Sequence, residues 1–183
     1  MNQRTNKEKG HWLDFALEVL VKKGPEALKI EPLCKQLNVT KGSFYHHFKN
    51  RRTFIDELMQ HWLAKTTTSF IEQADQEISG LAKLEKLDQI IASQNIEAEV
   101  HIRAWALREA CICEYLEQID HLRQGFLSQC YQEIGMPNDQ AEQVALLSYA
   151  SFLGLLQVYP RPNIEACLAV STLSSKTLLK DYI

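Results

Sequence analysis

The chain has 183 residues, 45% of them hydrophobic, so it can bury a core in one domain or in a small module joined to a larger one. Its formal charge of −3 is uneven, with +6 on residues 1–55 and −9 on residues 56–183. No apolar run reaches membrane-spanning length, which disfavours a membrane anchor. No apolar segment follows the charged N-terminus, which disfavours a secretory signal. Together these features favour a cytoplasmic protein. Because a basic N-terminal part is joined to an acidic remainder, we expect the N-terminal part to bind a polyanion.

Leu-, Ala-, Glu- and Gln-rich segments with only 7 Gly and 5 Pro predict an all-α protein. The apolar spacing and the breaks between segments predict helices over about 6–23, 30–37, 41–48, 53–78, 81–93, 96–110, 113–134, 138–158 and 164–182. We expect a three-helix head over residues 1–52, joined to a helical-bundle body over residues 53–183.

The second and third predicted helices are separated by three residues, Asn38-Val39-Thr40. Asn tolerates the left-handed conformation that ends a helix, and Thr is a favourable N-cap for the next one. A helix, a three-residue turn and a short helix are the plan of a helix-turn-helix.

The third helix carries an unusual segment, TKGSFYHHFK, over residues 40–49. At 100° per residue, Phe44 and Phe48 share one face and should pack on the first two helices. The opposite face is small and polar, as expected where another molecule must come close.

The stretch from about Trp12 to Leu58 resembles the TetR family of bacterial transcriptional regulators. The string that carries the resemblance is ALEVLVKKG…IEPLCKQLNVTKGSFYHHFKNRRTFIDEL, above all residues 39–49. Two features depart from the family pattern: Asn38 stands where Gly is frequent, and Leu28-Lys29 stand where a small hydroxyl residue commonly opens the second helix. The resemblance implies a DNA-binding head, a ligand-binding helical body and a homodimer.

The residues predicted to contact DNA lie in and just after the third helix. Major-groove readout requires a narrow exposed face with donors and acceptors, and Gly42 would let the backbone approach the bases. Side chains of Lys41, Ser43 and His46 can reach base edges. Tyr45 and His47 are placed for phosphate oxygens, as the resemblance also implies, and Lys49 and Arg51 follow them. The predicted DNA-binding set is Thr40, Lys41, Gly42, Ser43, Tyr45, His46, His47, Lys49 and Arg51, and the N-terminal arm (Arg4, Lys7) adds charge.

The body is longer than a dimerisation device requires, which favours a pocket for an unidentified small-molecule effector. Candidate lining residues are Trp62, His101, Trp105, Tyr115, Phe126, Tyr149 and Phe152, although for any one of them ordinary core is the better interpretation. Small and apolar residues recur in the last two helices, so a homodimer interface is expected there. Its candidate residues are Leu147, Ser151, Gly154, Leu155, Leu168 and Thr172.

The five cysteines are scattered and odd in number, and we expect reduced thiols that mostly serve packing. The leading hypothesis is a repressor that a ligand releases from double-stranded operator DNA. The alternatives are a thiol-sensing regulator using Cys111 and Cys113 and a helical protein-protein adaptor. No phosphate-binding loop, nucleophile motif or metal-binding pair is evident, so neither an enzyme, nor a cofactor, nor a metal site is expected.

Overall fold

The computed structural model of the chain describes residues 2–160, 162–180 and 182, with the side chains of residues 2–8 and 175 left outside that description. Every regular element in this part of the chain is helical, which confirms the predicted all-α class. The α-helices in chain order are α1 (Asn2–Lys23), α2 (Ile30–Leu37), α3 (Lys41–His47), α4 (Arg51–Leu63), α5 (Ser69–Ala74), α6 (Gly80–Ala92), α7 (Glu97–Ala106), α8 (Ala110–Glu133), α9 (Asn138–Leu155) and α10 (Ile164–Leu178). A 3₁₀ turn, Pro25–Ala27, follows α1, and a π-helical segment, Ala64–Thr68, joins α4 to α5.

The observed bounds agree with the predicted ones at α2 and differ by one residue at the end of α3. The prediction of one helix over 53–78 is wrong, because the π-helical segment Ala64–Thr68 interrupts it and α5 ends at Ala74. Three consecutive Thr residues occupy the interruption, and β-branched side chains with hydroxyl groups weaken regular α-helix. Two of them, Thr66 and Thr67, accept hydrogen bonds from the Arg123 guanidinium.

The described part of the chain divides into two compact units, of which the first comprises Met1–Lys65 and Glu97–Tyr115. In it, α1 packs against α4 and α7, and α2 packs against α3. The core of the first three helices and α4 contains a cluster of four aromatic rings, with centroids 5.0–6.2 Å apart and mostly edge-to-face: Trp12, Phe44, Phe48 and Phe54. Large rings close the core of a small helical unit with few side chains.

The second unit comprises Thr66–Ile96 and Leu116–Ile183. One apolar cluster in it joins α5, α6 and α8 around Phe70, Ile90 and Phe126. Another joins α8, α9 and α10 around Tyr131 and Leu179. The unit is therefore a helical bundle with more than one apolar centre.

A buried lysine and a close backbone contact fix the start of α6 within the second unit. Lys83 Nζ lies 2.8 Å from Asp75 Oδ1 and 2.7 Å from Glu133 Oε1, and these two carboxylates raise the pKa of the lysine. Gly80 approaches α8 so closely that a Cβ at this position would lie 2.1 Å from the carbonyl oxygen of Cys130. The sequence indicates a helix break at Ser79-Gly80, but it carries no sign of this contact.

No helix in the described part of the chain is long and apolar enough to cross a membrane. The sequence predicts one role for the head over residues 1–52 and others for the body over residues 53–183. The two compact units are defined by packing and do not test those roles. That division stays a prediction.

Candidate nucleic-acid interface

The turn between α2 and α3 has the backbone geometry that its residues favour. Asn38 adopts the left-handed conformation, with φ of 55°, and its N–H donates to the carbonyls of Cys34 and Lys35 at the end of α2. Thr40 is extended, and its Oγ1 accepts a hydrogen bond of 3.3 Å from the Ser43 N–H, which caps α3. The predicted C-cap and N-cap are both confirmed.

The second helix begins without a side-chain cap. Lys29 occupies the N-cap position in an extended conformation, and it makes no side-chain capping hydrogen bond. This is the position at which the sequence departs from the family pattern, and the N–H groups at the start of α2 therefore lack the hydroxyl partner expected there.

Helix α3 separates a buried aromatic face from an exposed polar one. Phe44 and Phe48 are completely buried, whereas Lys41, Gly42 and His46 are exposed and 54% of Tyr45 is exposed. Ser43 and His47 are half-buried on the flanks. The ring of Tyr45 packs edge-on against Phe44, with centroids 5.5 Å apart.

Gly42 is not required by packing within this chain. Among the described residues, a Cβ at Gly42 would meet only Thr40 Oγ1, at 3.5 Å, which is an ordinary contact. Its backbone is therefore open to close approach by another molecule from outside.

The beginning of α4 adds cations beside α3. Asn50 caps this helix, since its Oδ1 accepts a hydrogen bond of 2.9 Å from the Thr53 N–H. Lys49, Arg51 and Arg52 are exposed around this helix start. Free N–H groups at a helix N-terminus, together with such cations, suit a phosphate oxygen.

Several of these cations have carboxylate partners in the first unit. Lys41 Nζ lies 3.1 Å from Glu31 Oε2, and Arg52 Nε donates to Asp56 Oδ1 at 3.2 Å. Arg51 Nη1 lies 3.9 Å from Glu109 Oε1, in the turn between α7 and α8. Exposed pairs of this kind are weak, so a phosphate can replace the carboxylate. The side chains of Arg4 and Lys7, predicted to extend the basic surface, lie outside the described residues.

The predicted pocket residues fall into both units. In the first unit, Trp62 and Trp105 are buried, and His101 and Tyr115 are half-buried. The second unit holds Phe126, Tyr149 and Phe152, of which the first two are buried. Each unit thus holds part of the predicted set, and the role of these residues as pocket lining stays a prediction.

The second unit contains a polar cluster that sequence reasoning missed, and we call it the Arg123 cluster. Arg123 donates to Thr67 Oγ1 at 2.9 Å, to Thr66 Oγ1 at 3.4 Å and to the Tyr149 hydroxyl at 3.1 Å. The Tyr149 hydroxyl in turn donates to Asp120 Oδ1 at 2.7 Å. The run of three Thr is the signal that could have indicated an irregular helix at this place.

The predicted dimer residues lie on α9 and α10, which pack against each other. Leu147, Gly154 and Thr172 are exposed, and Ser151, Leu155 and Leu168 are half-buried. Further large apolar side chains are exposed on the same two helices: Leu146, Val170 and Leu173. The two helices therefore present apolar surface beyond what their own packing covers.

All five cysteines are free thiols, and three of them are buried. Cys111 is half-buried and Cys113 is exposed, both in the first turn of α8. Burial and, after it, the charge of Glu109 raise the pKa of the Cys111 thiol. Among the described residues, no group of three or more His, Cys, Asp or Glu could hold a metal ion.

Comparison with known proteins places residues 13–58 in the family described as bacterial regulatory proteins, tetR family. The HTH-type transcriptional repressor KstR2 of Mycobacterium tuberculosis (strain CDC 1551 / Oshkosh) is 24% identical over 84 residues, which are 46% of this chain and 42% of the relative. The chain thus matches less than half the length of that curated relative.

Solved structures share the fold over nearly the whole chain. A TetR-family transcriptional regulator from Mesorhizobium loti MAFF303099 is 15% identical, with a TM-score of 0.76, and the likeness covers 99% of both chains. A TetR transcriptional regulator from Legionella pneumophila is also 15% identical, with a TM-score of 0.68, covering 100% of this chain and 95% of that one. Residues 13–58, which include the capped turn and helix α3, thus match the bacterial regulatory proteins of the tetR family, and the solved TetR-family structures share the fold of the chain.

Proposed function

We propose that the protein is a dimeric transcriptional repressor that inserts α3 into the major groove of operator DNA and leaves it when a small molecule binds. The observation that carries this proposal is the division of α3 into a completely buried aromatic face and an exposed face of Lys41, Gly42, Tyr45 and His46. A short helix anchored on one side, and polar with little bulk on the other, suits base readout. The family consists of non-enzymatic DNA-binding regulators, in agreement with the expectation that this chain is not an enzyme.

In this proposal the exposed face of α3 reads bases, and the residues around it bind phosphate. Lys41, Ser43 and His46 supply donors and acceptors for base edges, and Gly42 permits close approach. The phosphate contacts come from Tyr45, His47, Lys49 and Arg51, with the N-terminus of α4. Phosphate contacts fix the register of α3 on the duplex, and base contacts supply specificity.

We propose a homodimer through α9 and α10. The support is their exposed apolar surface, in which Leu147 is 49% and Leu173 is 67% exposed. Two-fold symmetry would place two heads about 34–36 Å apart, one turn of DNA, and would suit a palindromic operator. Such a regulator acts where the DNA is, in the cytoplasm.

The effector site is proposed for the body. Within the second unit, Phe126, Tyr149 and Phe152 of the predicted set offer apolar surface, and the Arg123 cluster offers hydroxyl and charged groups that would orient a ligand. The cluster also contacts Thr66 and Thr67 of the π-helical segment, and such segments are frequent at functional sites. A ligand changes DNA affinity only if it binds one conformation of the dimer better than the other.

The test is the salt dependence of DNA binding, measured by fluorescence anisotropy with duplex DNA from just upstream of the protein's own gene. If each head neutralises about three phosphates, log K should fall with log salt at a slope of about −5. A duplex of unrelated sequence should bind more weakly with a slope of the same sign. Absence of binding at low salt, or a slope near zero, contradicts the proposal and favours a protein-protein adaptor.

A further inference from the structure

The turn between α7 and α8 holds a carboxylate next to one of the proposed phosphate contacts. Glu109 Oε2 accepts a hydrogen bond of 2.6 Å from the indole N–H of Trp105. Glu109 Oε1 lies 3.9 Å from Nη1 of Arg51. The Cys111 thiol also donates to Glu109 Oε1, at 3.7 Å. All these residues belong to the first unit, so the carboxylate is held by Trp105 and Cys111 and reaches Arg51.

The backbone gives Glu109 a defined position. Its N–H and that of Arg108 donate to the Trp105 carbonyl, at 3.2 and 2.9 Å, and its own carbonyl accepts from the N–H of Ile112 at 3.0 Å. Glu109 therefore closes the end of α7 and opens α8. Because Trp105 is buried and its indole holds the carboxylate, the charge stays near Arg51 and is not spread over a mobile side chain.

The guanidinium of Arg51 can bind either a carboxylate or a phosphate. It can form a bidentate pair of hydrogen bonds with only one of these anions at a time. Arg51 is the first residue of α4, and 47% of its side chain is exposed, so a DNA phosphate can reach it. At 3.9 Å and with this exposure the pair with Glu109 is weak, and DNA can displace the carboxylate at a small cost.

We propose that Glu109 is an intramolecular competitor of the DNA phosphate for Arg51, and that it lowers the affinity of the head for any DNA sequence. This inference rests on the proposed DNA binding and adds a residue that tunes it. Glu109 acts through Arg51 and does not itself touch DNA. Movement of the α7–α8 turn would change how much of the Arg51 charge is available to phosphate.

The experiment is a double-mutant cycle on the full-length protein with a duplex of unrelated sequence, because a phosphate contact does not depend on base sequence. Glu109→Gln keeps an acceptor for the Trp105 indole and removes the charge. The Glu109→Gln variant is expected to have a Kd about two- to fivefold lower for each head on the DNA. This increase in affinity is expected to become smaller as the salt concentration rises. In an Arg51→Gln background, Glu109→Gln is expected to change Kd by less than about 1.5-fold.

Glu18→Gln is the matched control, because Glu18 is exposed in the same unit and pairs with Lys22, which is not among the proposed DNA contacts. It should leave Kd closer to wild type than Glu109→Gln does, and thermal melting should show that all variants fold. The inference is overturned if Glu109→Gln raises DNA affinity equally in the Arg51→Gln background, or if Glu18→Gln raises it as much as Glu109→Gln does. If wild type binds DNA and Glu109→Gln binds identically, the inference alone fails. If wild type binds neither duplex, the proposed function fails first.

Discussion

At the scale of single residues, neighbouring positions of α3 serve opposite purposes. Phe44 is completely buried against Trp12 and Phe54, and the next residue, Tyr45, is largely exposed. Since adjacent residues on a helix point 100° apart, one short helix can both complete a core and present a binding face. Stability and DNA affinity should therefore respond to different residues of the same helix.

Replacement of Tyr45 tests this separation. Tyr45→Ala and Tyr45→Phe should both weaken DNA binding, because each removes the hydroxyl proposed to donate to a phosphate, by about 0.5–1.5 kcal/mol for that hydrogen bond. Tyr45→Phe keeps the edge-on contact with Phe44 and should melt at the wild-type temperature. DNA affinity is measured by fluorescence anisotropy, and thermal melting of each variant is measured by circular dichroism. A large drop in melting temperature for Tyr45→Phe with unchanged affinity would assign the hydroxyl a structural role.

The two thiols of α8 are a second test at this scale. Burial and Glu109 raise the pKa of Cys111, so less of the reactive thiolate is present at neutral pH. Replacing Cys111 and Cys113 together by Ser should leave DNA affinity, and its response to mild peroxide, within about twofold of wild type. If wild type leaves the DNA in peroxide and the double variant stays bound, the thiol-sensing alternative is correct.

At the scale of elements, the contact between α6 and α8 depends on the absence of one side chain. A Cβ on Gly80 would lie 2.1 Å from the Cys130 carbonyl oxygen and 3.0 Å from the Glu133 Cβ. The Lys83–Glu133 ion pair joins the same two helices, at a distance of 2.7 Å. The helices must separate to admit even a methyl group, and the ion pair would then lengthen.

Gly80→Ala is accordingly expected to lower the free energy of unfolding by about 1–3 kcal/mol or more, because the obstructing atom is backbone. Gly125→Ala in α8 is the control, since a Cβ there would meet no atom of the described residues within 4 Å. That control should be neutral or stabilise by about 0.5–1 kcal/mol through helix propensity. Urea unfolding of both variants measures the difference, and equal stabilities would show that α6 and α8 are packed less closely than described.

At the scale of the whole molecule, the proposed homodimer would let two heads engage DNA together. The exposed apolar side chains of α9 and α10 lie where the sequence predicts the interface. Linking two heads makes the second binding event intramolecular, so a dimer should bind a two-site duplex far more tightly than a monomer does.

Leu147→Glu combined with Leu173→Glu should convert the proposed dimer to monomers, because each places a charge in the proposed apolar interface. The monomers should lose about tenfold or more in affinity for the upstream duplex. Ile78→Glu is the control, since Ile78 is 99% exposed and lies outside α9 and α10. Sedimentation showing an unchanged dimer in the double variant would place the interface elsewhere.

The helical class and the DNA-binding motif could be predicted from the sequence because their causes are local. Asn38 supplies the left-handed turn, Thr40 supplies the cap, and the spacing of Phe44 and Phe48 defines a buried face within a few residues. The bounds of α2 follow from the same local signals. Polarity patterns and caps act over one or two helical turns, so a single sequence suffices to identify them.

The features that tertiary structure decided depend on residues far apart in the chain. The helix predicted over 53–78 is interrupted where Arg123, more than 50 residues away, meets Thr66 and Thr67. Gly80 packs against Cys130, and Glu109 approaches Arg51, across separations of similar size. No local pattern records which distant side chain will arrive, because that depends on how the helices pack. The sequence alone therefore determined the all-α class and the helix-turn-helix with its buried and exposed faces, whereas packing decided the π-helical segment, the α6–α8 contact and the carboxylate beside Arg51.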